Sequence, residues 1–576
     1  MKTLKYTLTV FVLVAVSLLS ACKKDFLERT PGVALSEEAV FADPILSAQF
    51  ADKAYTYLVD DYVRFDTHRG ASSQASDEAV SGTSNSSIRY LNQGLFHDHS
   101  DRVAAINDIR DIWARAYAGI RVTNVMLAKL PNVPWTAVQS PKRIEGEMHF
   151  IRAFLYFELI KRFGGVPLIE RAYGVNENLD IPRNTYQQCL NLILADLDNA
   201  EANLPEDYDN ANYGRATVGA AKALRARALL YAASKLNNES NDLSKWAAAA
   251  AAAKSVMDMN KYTLQNTYSD ILNVAESPEY IMIKIRGPRA NSENKIVDFA
   301  QSPGSGAISG SMNPTQNHVD LYEMKNGKAI TDPTSGYNPQ APYANRDPRL
   351  GFNVLYNDQT WQGRKLEMWY TETTNSSGQK VITYSRDWNA TNPIYTATRY
   401  YCRKYWPEPY IRNVAGTALL NFVYFRYAEV LLNYAEAQNE AVGPDASVYA
   451  AINQIRSRGR GVASVPVAER VDMPDLPAGL TQEQMRARIR NERAVELAFE
   501  DHRWYDIMRW KVGPEIVAQP VYGMNILKNA NGSFTYNKVL LPNTFQKVFL
   551  DHMHRYPIPR TEINKSNNIL IQNPGW

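Results

Sequence analysis

Apolar residues recur at helical spacing through most of this chain and lose that rhythm in one long stretch. In "RIEGEMHFIRAFLYFELIKRFGGVP" one stripe is Met148, Ile151, Leu155 and Leu159, and a second is Phe150, Phe154 and Phe157. The spacing predicts a helix apolar on two sides and sandwiched between neighbours. Gly164-Gly165 ends it and Pro167 blocks its continuation. A related pattern returns in "GRATVGAAKALRARALLYAAS", where Arg227-Ala228-x-Leu230-Tyr231 repeats Arg152-Ala153-x-Leu155-Tyr156. The small alanines let helices approach closely, and each tyrosine can lock a pair. In "FVYFRYAEVLLNYAEAQNE", Tyr424, Tyr427, Ala428, Leu431, Tyr434 and Ala435 keep helical spacing, and the seven alanines after Trp246 are helix-forming. The chain reads as mainly α, a scaffold of tetratricopeptide-like helical hairpins of irregular period.

From about 290 to 420 the period disappears. "QSPGSGAISGSMNPTQN" and "TDPTSGYNPQAPYANRDPRL" are rich in Gly, Pro, Ser and Asn and read as long loops. Tyr337 to Tyr410 holds four of the ten Trp and ten of the 34 Tyr. That density in loops marks a candidate binding surface. Helices are expected again from about 421 to 510, followed by a mixed tail to Trp576. The organisation expected is a signal segment over 1–21, a helical region with tetratricopeptide-like hairpins over 22–290, and a second region over 291–576 that contains the aromatic loops.

The N-terminus changes the compartment. Lys2 and Lys5 precede an apolar run from about Thr7 to Leu19, too short for a comfortable membrane span and right for a signal-peptide core. Leu19-Ser20-Ala21-Cys22 looks like a bacterial lipobox, in which Cys22 is acylated and becomes the first mature residue. Its placement disfavours the plainer reading, an ordinary signal peptide with a chance cysteine. With no second long apolar run, acyl chains are expected to hold the protein to the membrane. Lys23, standing where an aspartate would argue for inner-membrane retention, favours the outer membrane. Loss of Lys2 and Lys5 takes the formal charge from +3 to +1, so no footprint for nucleic acid remains. Beyond Cys22 the cysteines are Cys189 and Cys402, which either pair or stay buried as free thiols.

The densest collection of chemistry-bearing residues is "NERAVELAFEDHRWYDIMRW", residues 491–510. Glu492, Glu496 and Glu500 recur at i, i+4 and line one helical side, where Arg493 and Arg503 can pair with them. Val495, Ala498 and Phe499 form an apolar patch that Trp504, Ile507 and Met508 continue after a change of phase near Asp501-His502. Successive turns of one buried helix provide no cleft for paired catalytic carboxylates or for a base and nucleophile, so the stretch reads as structural. The chain has no His-Glu-x-x-His, Gly-x-Ser-x-Gly, phosphate-loop or dinucleotide-binding motif. His97-x-His99 and His552-x-His554 are compatible with a metal but lack a third ligand. His149 reads as a satisfied core residue. No enzyme activity and no cofactor are expected, and a structural calcium stays open.

Several segments together carry a family resemblance: the lipobox followed by "KKDFLERTP", then "ASDEAV", "EMHFIRAFLYFELIKRFGGVPL", "GRATVGAAKALRARALLYAAS", "DPRL", "YFRYAEVLLNYAEAQNE", "RNERAVELAFEDHRWYDIMRW" and "YPIPRTEINKSNNILIQNPGW". In this order they resemble the SusD/RagB family of Bacteroidetes outer-membrane lipoproteins. One departure is "KSNNIL", where an Asn-Pro pair would be expected. The resemblance implies a tetratricopeptide-like scaffold with an irregular ligand-binding part. It also implies a surface lipoprotein, facing the cell exterior, that captures glycan and delivers it to a SusC-like TonB-dependent transporter.

A sugar offers a face of C–H groups and a rim of hydroxyls, so its site needs aromatic platforms beside planar polar groups. Two zones supply the mixture. One is the polar loop with Asp77, Glu78, Arg89, Tyr90, Phe96 and His97. The other is the aromatic region with Tyr337, Trp361, Trp369, Tyr370 and Trp388. "RDPRL" and "KYWPEPY" read instead as structural corners. Aromatic loops suit extended peptides as well, so a peptide-binding RagB-like importer component is the alternative; a glycoside hydrolase of unfamiliar type is a third reading.

Overall fold

The computed structural model describes residues 36–59, 62, 70–82, 87–96, 107–174, 176–285, 302–307, 309–406, 421–459 and 473–576. Cys22, His97 and His99, and all of "KYWPEPY" after Trp406, lie outside them. Nine helices are labelled here in chain order: α1 (Asn107–Lys129), α2 (Pro141–Phe163), α3 (Tyr186–Asn203), α4 (Val218–Ala233), α5 (Leu243–Met257), α6 (Tyr427–Val442), α7 (Ala446–Gly459), α8 (Gln482–Glu496) and α9 (Arg503–Trp510). Each of α1 to α6 packs on its successor, and α6 also meets α7 and α8. That is the expected stack of helical hairpins.

Local chemistry sets the helix ends. Ser140 caps α2 ahead of Pro141, and Thr185 with Gln188 and Thr481 with Gln484 form capping boxes at α3 and α8. Gly164 closes α2 at φ +75°, and a Cβ on Gly165 would strike the Asn184 carbonyl, so the Gly-Gly pair is needed for both conformation and space. As its two stripes predict, α2 is buried on nearly every side.

The repeated Arg-Ala-x-Leu-Tyr element has a structural meaning. Arg152 reaches Asp196 on α3 at 2.7 and 2.8 Å, and Arg227 reaches Glu429 on α6 at 2.6 and 2.7 Å. In both copies a buried arginine ties its helix to a later one. Tyr231 sets its ring edge-on to Phe157, locking α4 on α2, while the Tyr156 hydroxyl accepts from the Ile169 amide and so anchors the chain beyond α2. His149 meets the same Asp196 at 2.6 Å. Cys189 and Cys402 are buried, and no disulfide joins them.

Two expectations need correction. Phe422–Arg426 is a strand, not the start of a helix; it pairs antiparallel with Tyr280–Lys284, and its β-branched and aromatic run is buried throughout. The loop-rich part also holds more sheet than its composition predicts. Label the strands β1 (Ala79–Ser81), β2 (Tyr280–Lys284), β3 (Met312–Pro314), β4 (Tyr370–Thr374), β5 (Lys380–Tyr384), β6 (Phe422–Arg426), β7 (Tyr522–Lys528) and β8 (Phe534–Leu540). A four-stranded sheet then runs β8-β7-β4-β5. Asn531-Gly532 turns one of its hairpins and Asn375 to Gly378 the other, with Gly532 and Gly378 in the left-handed region.

Candidate functional site

The carboxylates of 491–510 fold into a lattice that excludes catalysis there. Helix α8 ends at Glu496, and the chain turns through Phe499 (φ 63°) and Asp501 (φ 67°) before α9 begins, so the break falls earlier than the apolar phase predicted. Glu492, Glu496 and Glu500 do not pair with Arg493 and Arg503. They meet cations from distant parts of the chain: Arg349 on Glu492 at 2.5 Å, and Arg426 on Glu496 and Glu500, each at 2.7 Å. Arg458 also bonds Glu496, and Lys404 sits 2.6 Å from Glu500. Arg493 turns to Asp506 and Arg503 to Asp77. Burial alone would raise the Glu496 and Glu500 pKa values; Arg458 and Arg426 around Glu496, and Arg426 and Lys404 around Glu500, hold them below the ordinary carboxylate range. The chamber beside this lattice, lined by Lys161, Arg227, Glu500 and His502, encloses about 30 Å³. That volume suits a water molecule, not a substrate.

The first predicted zone is mostly structural. The Asp77 carboxylate forks onto Arg503 at 2.8 and 2.9 Å. Glu78 is buried and accepts the Phe499 amide at 2.9 Å. Phe96 packs edge-on against Trp576 in the core. These three therefore serve the scaffold in this structure. Arg89 and Tyr90 remain: Arg89 lies over the Phe545 ring and donates to the Ser81 carbonyl, and Tyr90 is 48% exposed.

The second zone does assemble. Trp388 follows Asp387, whose buried carboxylate grips Arg364, the Ser302 hydroxyl and the Glu367 amide. The Trp388 indole donates to the Thr396 carbonyl at 3.1 Å. Around this ring stand Tyr384 from the end of β5, edge-on at 5.1 Å, and Tyr370 from the start of β4 at 6.2 Å. The Arg399 guanidinium covers one Trp388 face. It donates to Asn525 on β7 at 2.9 Å, and Asn525 in turn donates to the Tyr370 hydroxyl at 3.1 Å. Burial draws the Arg399 pKa down to about 9, which leaves it charged at neutral pH. All three aromatic rings are partly exposed. Rings framed by an amide, a phenol and a guanidinium offer a flat apolar face beside directional donors and acceptors.

Trp369 is also partly exposed, with the Lys528 ammonium over its ring at 4.3 Å. Tyr337 stacks separately on Arg346 at 5.5 Å. Trp361 is corrected: it is fully buried beneath Arg403 and packs the scaffold. Tyr384, Arg399 and Asn525 were not singled out in the sequence. Tyr384 could have been found from the hairpin "TETTNSSGQKVITY", whose alternating strands place its two ends side by side. Arg399 and Asn525 have no comparable signal.

No hydrogen bond, ion pair or ring contact joins Arg89 or Tyr90 to Trp369, Tyr370 or Trp388, but β3 supports both zones. It pairs with β1 beside the first, while the Asn313 side chain accepts the Ala397 amide, next to the carbonyl that holds Trp388. Arg346 of "RDPRL" ties down the carbonyls of Val319, Tyr322 and Pro342, as expected of a structural corner. His552 and His554 diverge on a 3₁₀ turn, His554 to the Gly513 amide and His552 onto Trp576. Among the described residues no group of three or more His, Cys, Asp or Glu is placed to hold a metal ion, and no helix is long and apolar enough to cross a membrane. A separate groove of about 660 Å³ is lined by Trp113, Tyr117, Ile169, Leu179 and Leu570, and none of the expected site residues reaches it.

Comparison with known proteins agrees with this architecture. The family model described as "Starch-binding associating with outer membrane" matches residues 25–230. "SusD-like protein P2" of Formosa agariphila is 25% identical over 513 residues, covering 88% of this chain and 86% of that one. A SusD-like protein of Bacteroides fragilis superposes with a TM-score of 0.72 at 24% identity, covering 94% of this chain and 99% of the other. A SusD-like carbohydrate-binding protein of the same species gives 0.73 at 21% identity, covering 92% and 99%. The SusD family model itself spans residues 275–576, more than half of the chain, and the protein therefore belongs to the SusD family, whose members are outer-membrane-associated carbohydrate-binding proteins and not enzymes.

Proposed function

We propose that this protein is a lipid-anchored receptor on the cell exterior that captures an oligosaccharide and passes it to a SusC-like TonB-dependent transporter. The observation that carries the glycan reading is the cluster of Tyr370, Tyr384 and Trp388 with Arg399 and Asn525. Stacking of a sugar C–H face on a partly exposed ring contributes apolar burial, and the planar polar groups select the hydroxyl pattern. The bound sugar meets no paired free carboxylates here, so it is held and released unchanged. Family membership supports the carbohydrate class and the outer-membrane setting, and the structural neighbour described as carbohydrate-binding points the same way. Acylation at Cys22 supplies the anchor.

Calorimetry on the full chain with a panel of plant, host and microbial oligosaccharides, alongside mixed peptides, tests the ligand class. Binding to one glycan class that Trp388→Ala or Tyr370→Ala weakens about tenfold or more is the expected result. Heat with peptides alone would replace the glycan by an extended peptide. Co-purification of a barrel-sized outer-membrane protein with the tagged lipoprotein tests the partner, and loss of lipid labelling in Cys22→Ser tests the anchor.

A further inference from the structure

A second pocket, of about 560 Å³, opens among α5, α6, α8 and α9, within the helical stack and apart from the aromatic cluster. Its size is that of a small-molecule site. The two tryptophans in its wall, Trp246 and Trp510, are almost completely buried, so they shape the pocket more than they offer a platform.

The charges lining it are unequally committed. Glu436 is bound to Arg509 at 2.5 and 2.6 Å and accepts the Trp510 indole N–H at 2.7 Å. Glu440 is forked onto Arg486 by two bonds of 2.6 Å. Arg490 has no such partner among the described residues. Its guanidinium lies 4.5 Å over the Trp510 ring, and its Nε is buried with no acceptor. Burial lowers its pKa, with Glu436 and Glu440 opposing the shift and Arg509 and Arg486 adding to it. The other arginines around this wall, Arg486 and Arg509, have found their carboxylates, while Arg490 lines the pocket against the Trp510 ring with no carboxylate bound. A guanidinium in that state is pre-organised for a planar, bidentate carboxylate and has no hydrogen bonds to give up on binding.

We propose that this pocket is a carboxylate site, anchored by Arg490, that takes a small sugar acid of the hexuronate type. The assignment goes beyond the glycan reading of the Trp388 cluster, shares no residue with it, and stands or falls separately. Glu483, exposed at the rim, is the one lining carboxylate with no bonded cation, and it opposes an incoming anion.

The test is calorimetry on the full chain with D-glucuronate and, as the neutral control of the same ring, D-glucose. Glucuronate should bind and glucose should not. Arg490→Gln should weaken glucuronate at least tenfold, and Arg490→Lys should retain only part of the affinity because it keeps charge without the fork. Glu483→Gln, on the exposed first turn of α8, should tighten binding about twofold or more by removing a like charge; this variant keeps the test decisive even if Arg490→Gln fails to fold. Equal binding of glucose and glucuronate, unchanged affinity in Arg490→Gln, or no heat with glucuronate would overturn the proposal. Trp388→Ala should leave glucuronate affinity unchanged while weakening oligosaccharide binding about tenfold or more, which separates failure at one site from failure at the other.

Discussion

Residues 491–510 and residues 361–399 are both dense in groups that chemistry uses, and the fold treats them in opposite ways. In the first, Glu492, Glu496 and Glu500 are buried against cations drawn from across the chain: Arg349, Arg426, Arg458 and Lys404 all converge on α8 and the turn beyond it. In the second, a single buried carboxylate, Asp387, pins a hairpin whose aromatic rings stay partly open to solvent. The difference lies in how fully the groups are satisfied. Charges whose hydrogen-bonding capacity is spent on one another rigidify a scaffold and leave nothing for a ligand, whereas half-covered rings beside an amide and a guanidinium retain surface that a ligand can bury.

Breaking the lattice should have the largest effect. Arg426→Ala removes one buried cation from Glu279, Glu496 and Glu500 at once. A loss of about 3–5 kcal/mol is expected in chemical denaturation, and a loss under about 1 kcal/mol would mean that the lattice is not the support described here. The same lattice sets acid sensitivity. Glu496 and Glu500 have depressed pKa values in the fold, so their contribution is present above the unfolded value of about 4.5 and is lost as pH falls toward the folded ones; melting temperature should drop steeply below about pH 4.

On the other side of the comparison, Trp388→Ala should cost about ten- to a hundredfold in oligosaccharide affinity, which is roughly 1.4–2.8 kcal/mol, and much less stability than Arg426→Ala. Unaltered affinity, read by calorimetry, would move the ligand elsewhere.

Glu78 sharpens the contrast within the first zone. Burial, reinforced by the charge of Asp77, pushes its carboxyl up to about 8, so the fold holds it protonated where the unfolded chain would ionise it. A raised carboxylate pKa means stability that is complete below about pH 4.5 and declines as pH rises toward 8. Lys547, drawn down to about 7 by burial against the opposing charge of Asp77, gains stability for the fold as pH rises above 7 and offsets part of that decline. Glu78→Gln, which can still accept the Phe499 amide, should therefore flatten the stability profile between pH 5 and 8 and gain about 1–2 kcal/mol at the upper end. A mutant profile parallel to the wild type would show that Glu78 is ionised in the fold. The smallest effect is expected from Tyr90→Ala, under about 0.5 kcal/mol in stability because the ring is half exposed. A simultaneous fall in oligosaccharide affinity would extend the binding surface across β3 to the first zone.

Local signals settled much of this protein in advance. The helix α2, its Gly-Gly stop, the Arg-Ala-x-Leu-Tyr repeat and the structural character of 491–510 all follow from spacing, because a 3.6-residue period and a glycine at positive φ are decided within a few residues of chain. The Asn375–Gly378 turn is equally local, and it shows that the loop-like composition of 291–420 conceals a hairpin. Which of the aromatic residues would be platforms was another matter. Trp361 and Trp388 are alike in sequence, yet one is sealed beneath Arg403 and the other opens beside Asn525, which lies 137 residues further on. Asp77 and Glu78 looked available until Arg503 and the Phe499 amide, more than 400 positions away, claimed them. Sequence by itself determined the periodic scaffold and its family, since those rest on short-range pattern. Only the tertiary structure decided which polar and aromatic groups remain free to bind, because burial and pairing depend on partners that the fold brings in from distant parts of the chain.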